Sequence, residues 1–153
     1  MHVAIGSDHR GGAVVDAVTA SLAAAGHDVL PVGRCEADSC DYPDKAWAVA
    51  HAVASGDAAL GVLVCGSGNG VAIAANKVDG VRAGQADDPL TAEMTRRHND
   101  ANVICLGADR ITADTAIEIV AAFVAAEFEG GRHGRRVDKI TAIERGEALV
   151  ASD

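Results

Sequence analysis

Several groups of side chains in this sequence could do chemistry, and the sharpest is a cysteine at the end of an apolar run. Val62-Leu63-Val64-Cys65-Gly66-Ser67-Gly68-Asn69-Gly70 passes from β-type residues through a thiol into a loop with glycine at every second position, and small helix-forming residues follow up to Lys77. That order reads as a strand, a tight turn and a helix start. The first N–H groups of such a helix lack internal partners and, with the helix dipole, favour an anion in the turn. A thiol held there is biased toward thiolate, so Cys65 is the best placed of the cysteines at 35, 40, 65 and 105 to react.

Two further clusters carry charge. Arg132-His133-Gly134-Arg135-Arg136 sets three arginines and a histidine within five residues of an acidic chain. The guanidinium fork suits phosphate oxygens, whereas cations at a helix start oppose the macrodipole and have no local stabilising reason. Arg96-Arg97-His98-Asn99-Asp100 ends a helix, where the dipole favours Arg96 and Arg97 and gives them a structural role. His98 and Asn99 are not so explained, and a histidine there can act as acid or base near neutrality.

The elements that must position these residues alternate. Strands are expected at Val3 to Gly6, Asp28 to Val32, Ala59 to Val64, Val81 to Gly84 and Asn102 to Leu106. Helices are expected at Ala13 to Ala25, Asp44 to Ser55, after the glycine loop, from Pro89 to His98, from Thr112 to Phe128 and, beyond a Gly130-Gly131 hinge, from Arg135 to Leu149. Gly33 to Pro43 reads as a polar loop. This rhythm gives an α/β fold: a single-domain, Rossmann-like three-layer sandwich over residues 1–153, with a five-stranded parallel sheet covered on both faces and a C-terminal helix. Ligands of such sheets bind outside the carboxyl ends of the strands. The loops there bring Asp8, His9, Cys65 and Arg110 to one edge, with Asp87 and Asp88 in the loop after the fourth strand.

Composition removes other classes. The chain has 153 residues and a net charge of -9, which disfavours a nucleic-acid partner, and only 3% aromatic residues, which argues against a base-stacking platform. Glycines break the uncharged run from Ala58 to Asn76, so no membrane span is expected, and the start lacks the pattern of a secretory signal, so a cytoplasmic location is expected. No paired C-x-x-C metal pattern occurs, and in a reducing compartment Cys35 and Cys40 are expected as free thiols. Gly66-x-Gly68-x-Gly70 is near a dinucleotide fingerprint, with Asp87 where a ribose-binding acid would stand, but its spacing differs; a nucleotide-binding module without chemistry is the alternative from another class. No Walker lysine follows, and Val71 stands where a cysteine phosphatase needs arginine. Taken alone, the loop equally fits a packing role with Cys65 a buried structural thiol.

In order along the chain, Ser7-Asp8-His9, Asp41-Tyr42-Pro43, Cys65 to Gly70, Ala74-Ala75-Asn76-Lys77, Arg96 to Asn102 and Glu129-Gly130-Gly131-Arg132-His133 resemble the type B ribose-5-phosphate isomerase family, which also includes galactose-6-phosphate isomerases. The resemblance runs from about Val3 to Glu144. It implies a sugar-phosphate isomerase with no cofactor and no metal, interconverting ribose 5-phosphate and ribulose 5-phosphate, with a tetrulose or hexose phosphate as the alternative substrate. It makes Cys65 the base that takes the C2 proton, with Ser67 and the N–H groups of Gly66, Gly68, Asn69 and Gly70 steadying an enediolate. A second subgroup carries a glutamate base in place of Val71; cysteine with valine matches the first. By the same resemblance His98 opens the furanose ring with help from Asp8, and Tyr42 and Asn99 contact hydroxyls. His9, Arg110, Arg132 and Arg136 hold phosphate, with Arg135 competing for the inward place of Arg136. His98 and Asn99 would come from a neighbouring copy, in a homodimer or dimer of dimers. Two acids at Asp87 and Asp88 depart from the expected pattern.

Overall fold

The computed structural model describes residues 1–35 and 37–149. Glu36, inside the expected polar loop, and residues 150–153 of the expected domain lie outside the described residues. The chain runs β1 (His2–Ser7), α1 (Gly12–Ala24), β2 (Asp28–Arg34), α2 (Tyr42–Ala54), β3 (Leu60–Cys65), α3 (Asn69–Ala75), β4 (Ala83–Gln85), α4 (Pro89–Asn99), β5 (Val103–Gly107), α5 (Ala113–Ala125) and α6 (Arg132–Glu144). All strand pairs are parallel, in the order β2-β1-β3-β5-β4. The expected α/β sandwich is the observed one.

Side chains alternate between the two faces of the sheet. Ile5, Val62, Val64, Ile104 and Leu106 pack with Val14, Val18 and Leu22 of α1 and Ile119 and Phe123 of α5. Ala4, Leu63, Cys65, Val103 and Cys105 pack with Val49, Ala50 and Val53 of α2 and Val71 and Ala75 of α3. The small residues have a steric reason: a Cβ on Gly6 or Gly61 would stand 2.8 Å from a Val49 methyl, so α2 lies directly on the sheet. β3 is central and buried along its whole length, which fixes the thiol at its end. Among the described residues no helix is long and apolar enough to cross a membrane.

Several boundaries differ from expectation. β2 continues to Arg34 through a register shift opposite Ala4 and Gly6, which tolerates Pro31 on this edge strand. β4 starts later than Val81 because Val81 closes a turn onto the Val78 carbonyl and the Arg82 N–H donates to Asn102 Oδ1 at 2.8 Å. α5 stops at Ala125, since Ala126 is extended and the Glu129 N–H is drawn to the Arg97 carbonyl at 3.0 Å. α6 starts at Arg132, because Gly131 turns the chain with a φ of 54°, and it ends early, at Glu144, just ahead of Gly146, where φ is 72°. The expectation of free Cys35 and Cys40 is also corrected. They form a disulfide, the loop between β2 and α2 bringing their Cα atoms to 6.0 Å. Cys65 and Cys105 are free and buried.

Candidate active site

Cys65 is 4% exposed, yet apolar groups alone do not enclose its sulfur, because the Gly68 N–H donates to Sγ at 3.2 Å. That geometry needs glycine: Gly68 has a φ of 79°, and a Cβ there would sit 3.0 Å from the Leu106 carbonyl carbon. The Asn69 N–H donates to Ser67 Oγ at 3.3 Å, whereas the N–H groups of Gly66, Ser67 and Gly70 have no acceptor among the described residues. The loop is anchored from behind, since Ala108 and Asp109 donate their N–H groups to the Cys65 and Gly66 carbonyls at 2.8 and 3.0 Å. Burial pushes the Cys105 thiol far up, with the charge of Cys65 adding to the effect, so Cys105 stays protonated and inert.

Around this loop stand the residues expected at the carboxyl edge. Asp8 is 6% exposed; its N–H donates to the Val64 carbonyl and its Oδ1 accepts the Arg10 N–H at 2.9 Å. His9 is exposed, and its Nδ1 accepts the Cys40 N–H at 3.4 Å. Tyr42, the first residue of α2, lays its ring against Gly70, where a Cβ would stand 2.8 Å from ring carbons. Arg110 is already engaged: it forms an ion pair with Asp87, whose other oxygen accepts Gln85 Nε2 at 2.7 Å. Asp87 is therefore not free as a ribose-binding acid, which weakens the nucleotide alternative. Asp88 caps α4, accepting the Thr91 N–H at 2.9 Å and the Thr91 hydroxyl at 2.6 Å, and those bonds hold its carboxyl below the usual range. Both unexpected acids thus have local partners.

The second cluster forms where α4 ends and α6 begins. The rings of His98 and His133 stack with centroids 4.2 Å apart and planes 3° from parallel. Glu129 Oε2 lies 3.9 Å from His98 Nε2 and 3.6 Å from His133 Nε2, and Arg132 Nε donates to His133 Nε2 at 3.2 Å. Arg97 holds Glu129, to which Nε donates at 2.8 Å, and keeps its carboxyl below the usual range. Burial, then the charges of His98 and Arg132, push His133 below the ordinary 6.5. His98, Glu129 and His133 place one ligand atom each within 4.8 Å, but two parallel, separated rings have no point lying in both planes, so these imidazoles cannot share an ion in this arrangement. Arg132 and Arg136 occupy one face of α6 at i and i+4, and of the adjacent pair Arg135 and Arg136 it is Arg136 whose charge reaches His133.

One chain does not unite the two clusters. α4 starts beside the carboxyl edge of the sheet and its 11 residues carry the chain about 16 Å to the opposite edge. Cys65, Ser67, Asp8, His9, Tyr42, Asn69 and Arg110 gather at the first edge, and His98, Asn99, Arg132 and Arg136 at the other.

Some supporting residues had no assigned role in the sequence. The guanidinium of Arg10 reaches across the end of β3 to Asp109, with Nη2 2.6 Å from Oδ1, and closes over Gly66. Arg82 donates to the Asn99 and Asp100 carbonyls at 3.2 and 2.9 Å and to the Asp100 carboxylate at 2.7 Å, fixing the turn that carries His98 and Asn99. Asp100 takes a left-handed φ of 46° there, and the one sequence signal for it is an acid shortly after Arg96 and Arg97.

Residues 3–140 match the family model described as Ribose/Galactose Isomerase. The chain belongs to that family. It is 42% identical over 143 residues to ribose-5-phosphate isomerase B of Escherichia coli K12, covering 94% of this chain and 96% of that one. It is also 46% identical over 106 residues to D-erythrulose-4-phosphate isomerase of Pectobacterium atrosepticum, covering 69% and 70%. The structure of ribose-5-phosphate isomerase B from Mycoplasma genitalium with bound ribulose-5-phosphate superimposes with a TM-score of 0.89 at 41% identity, covering 94% of this chain and 96% of that one. Family membership makes the chain an isomerase, and its relatives act on sugar phosphates.

Proposed function

We propose that the chain interconverts ribose 5-phosphate and ribulose 5-phosphate without a cofactor, by moving one proton between C2 and C1. Cys65, as thiolate, removes the C2 proton of the open-chain aldose; the electrons flow into the C1 carbonyl to give an enediolate, the O2 proton passes to O1, and the thiol returns its proton to C1 as the C2 carbonyl forms. The free N–H groups of Gly66, Ser67 and Gly70 and the Ser67 hydroxyl supply donors for the developing charge, in a loop already ordered before substrate arrives. The observation that carries this reading is the Gly68 N–H aimed at the one free thiol that stands beside unpartnered donors.

Ring opening and phosphate binding fall to His98, Asn99, Arg132 and Arg136 of a second copy, because one chain holds them at the far edge of its sheet. Asp8 assists, Tyr42 and Asn99 contact hydroxyls, and His9 and Arg110 complete the phosphate site. The relative from Pectobacterium favours a second reading, a four-carbon ketose phosphate, on the same residues.

Complementation tests the scheme. Cys65→Ala and His98→Asn are each expected to be inactive, and co-refolding equal amounts of both restores about a quarter of wild-type turnover, since half the dimers are mixed and each has one intact site. Turnover by Cys65→Ala alone, or no recovery in verified mixed dimers, sinks the reading.

A further inference from the structure

We infer that Cys35–Cys40 is a reversible thiol–disulfide modification site that holds the Cys40 N–H on His9 and the Tyr42 ring on Gly70 of the thiol loop. The bridge lies between β2 and α2, and both cysteines are half-buried among exposed residues Ala37, Asp38, Ser39 and Asp41. Neither belongs to the apolar layers on the two faces of the sheet, so the fold does not depend on the bond. It spans a sequence separation of five, and so short a ring removes less chain entropy from the unfolded state than a long one. Its effect is local.

That locality is what couples it to the site. Cys40 donates its N–H to His9 Nδ1 at 3.4 Å. Asp41, the next residue, is the N-cap of α2, and Tyr42 after it rests on Gly70. A single peptide segment therefore joins the bridge to His9, which follows β1 at the carboxyl edge, and to Tyr42, which rests on the Cys65 loop. With the bond intact, the segment is tethered at both ends. With the bond open, the turn before α2 is released, and the position of the Cys40 N–H over His9 is no longer imposed.

Exchange with a dithiol supplies the chemistry. A thiolate of the dithiol attacks one bridge sulfur, the Cys35–Cys40 bond breaks to leave a cysteine thiolate, and a mixed disulfide forms. The second thiol of the reagent then displaces the other cysteine. The protein gains two electrons and two protons as two thiols, and the dithiol leaves as its cyclic disulfide. Half-exposed bridges are the ones open to such attack.

The test compares full-length protein purified without reductant before and after dithiothreitol. Thiols counted in denaturant are expected to rise from two, Cys65 and Cys105, to the full four. The ring resonances of His9 shift in step, and KM for ribose 5-phosphate rises about three- to tenfold with kcat little changed, as for loss of one or two polar contacts. The Cys35→Ser/Cys40→Ser variant behaves as the reduced form and ignores dithiothreitol. Four thiols at the outset, unshifted His9 resonances on reduction, an unmoved KM, or a dithiothreitol response that persists in the double variant and so belongs to Cys65, each overturns the inference. The KM arm rests on the phosphosugar reading, whereas the thiol and His9 readouts do not. If those two behave as expected and no sugar phosphate is turned over, the modification site stands and the phosphosugar reading falls.

Discussion

Gly70→Ala separates the role of Tyr42 from the stability of the fold. A Cβ at this position would stand 2.8 Å from Cε2 and Cζ of the Tyr42 ring, far inside the 3.5–4.0 Å at which carbon atoms attract. Something must yield, and burial decides what. Val71 and Ala75 of α3 are 0% exposed, whereas Tyr42 is 42% exposed and its hydroxyl has no partner among the described residues. The ring swings out and α3 stays. Gly70 does not use a left-handed φ, so alanine suits the backbone and is favoured in a helix by up to about 1 kcal/mol. That gain offsets most of the lost ring contact, and Tm moves by no more than about 3 °C for a chain of this size. Function responds more strongly, because the displaced hydroxyl forfeits the hydrogen bond to the sugar proposed for it, about 0.5–1.5 kcal/mol, or roughly a two- to twelvefold rise in KM. kcat changes little, the contact being similar in ground and transition states. The assay is steady-state isomerisation of ribose 5-phosphate beside thermal unfolding, with Tyr42→Ala as the second arm of a cycle in which Gly70→Ala adds nothing further. A Tm loss above about 5 °C with KM unchanged refutes the reasoning, for then α3 yielded and the ring did not.

Other perturbations bear on the remaining parts. Arg136→Ala is expected to raise KM for the phosphorylated sugar at least tenfold, as loss of a charge-assisted contact worth about 1.5–3 kcal/mol, while Arg135→Ala changes it little; equal effects would reverse the choice between these neighbours. At the end of α4, Asp100→Ala and Asp100→Gly both lose the ion pairs to Arg82 and Arg96, but only glycine relieves the φ of 46°. Urea titration should place the alanine variant about 1 kcal/mol below the glycine variant, and equal midpoints would remove the strain argument. His133 is held below 6.5 and Glu129 below 4.5 in the folded chain, so the unfolded chain binds more protons at both. Their contribution to stability is complete above about pH 6.5, falls as the pH drops from there through the folded value of His133, and falls again below the ordinary Glu129 range. His133→Gln should flatten the upper part of that decline in a Tm series, and an unaltered slope assigns it elsewhere.

The central unit was legible because local signals agree: an apolar run, a glycine turn and small helix formers all point to β3, its loop and α3. The residues gathered at the carboxyl edge followed from the alternation alone, since every loop that leaves a parallel strand emerges there. Pairings within the edge were not legible. Arg10 and Asp109 are 99 positions apart, and only the strand order, with β3 between β1 and β5, makes them neighbours. The stack of His98 on His133 was hidden for the same reason, and with it the early start of α6, which puts His133 against α4. β4 was misplaced because its three residues are too few to show a period, and the turn ahead of them is set by the Asn102 side chain. For Cys35 and Cys40 the spacing was visible and the assumed compartment decided against the bond, whereas the loop geometry favours it.

The separation of the two clusters is a property of the topology. In a parallel βα unit each helix starts at the carboxyl edge and ends at the amino edge, so a residue in the last turn of α4 is removed from Cys65 by about the length of that helix, roughly 16 Å. Rotamer changes do not close such a gap, and α4 cannot slide without breaking the bonds from Arg82 to the Asn99 and Asp100 carbonyls. The proton transfer proposed for Cys65 and the ring opening proposed for His98 can therefore serve one substrate only if the amino-edge cluster of one copy meets the carboxyl edge of another. A two-fold axis makes that contact twice at once, giving two equivalent sites, and it would leave an isolated chain with a base that has no sugar ring opened for it.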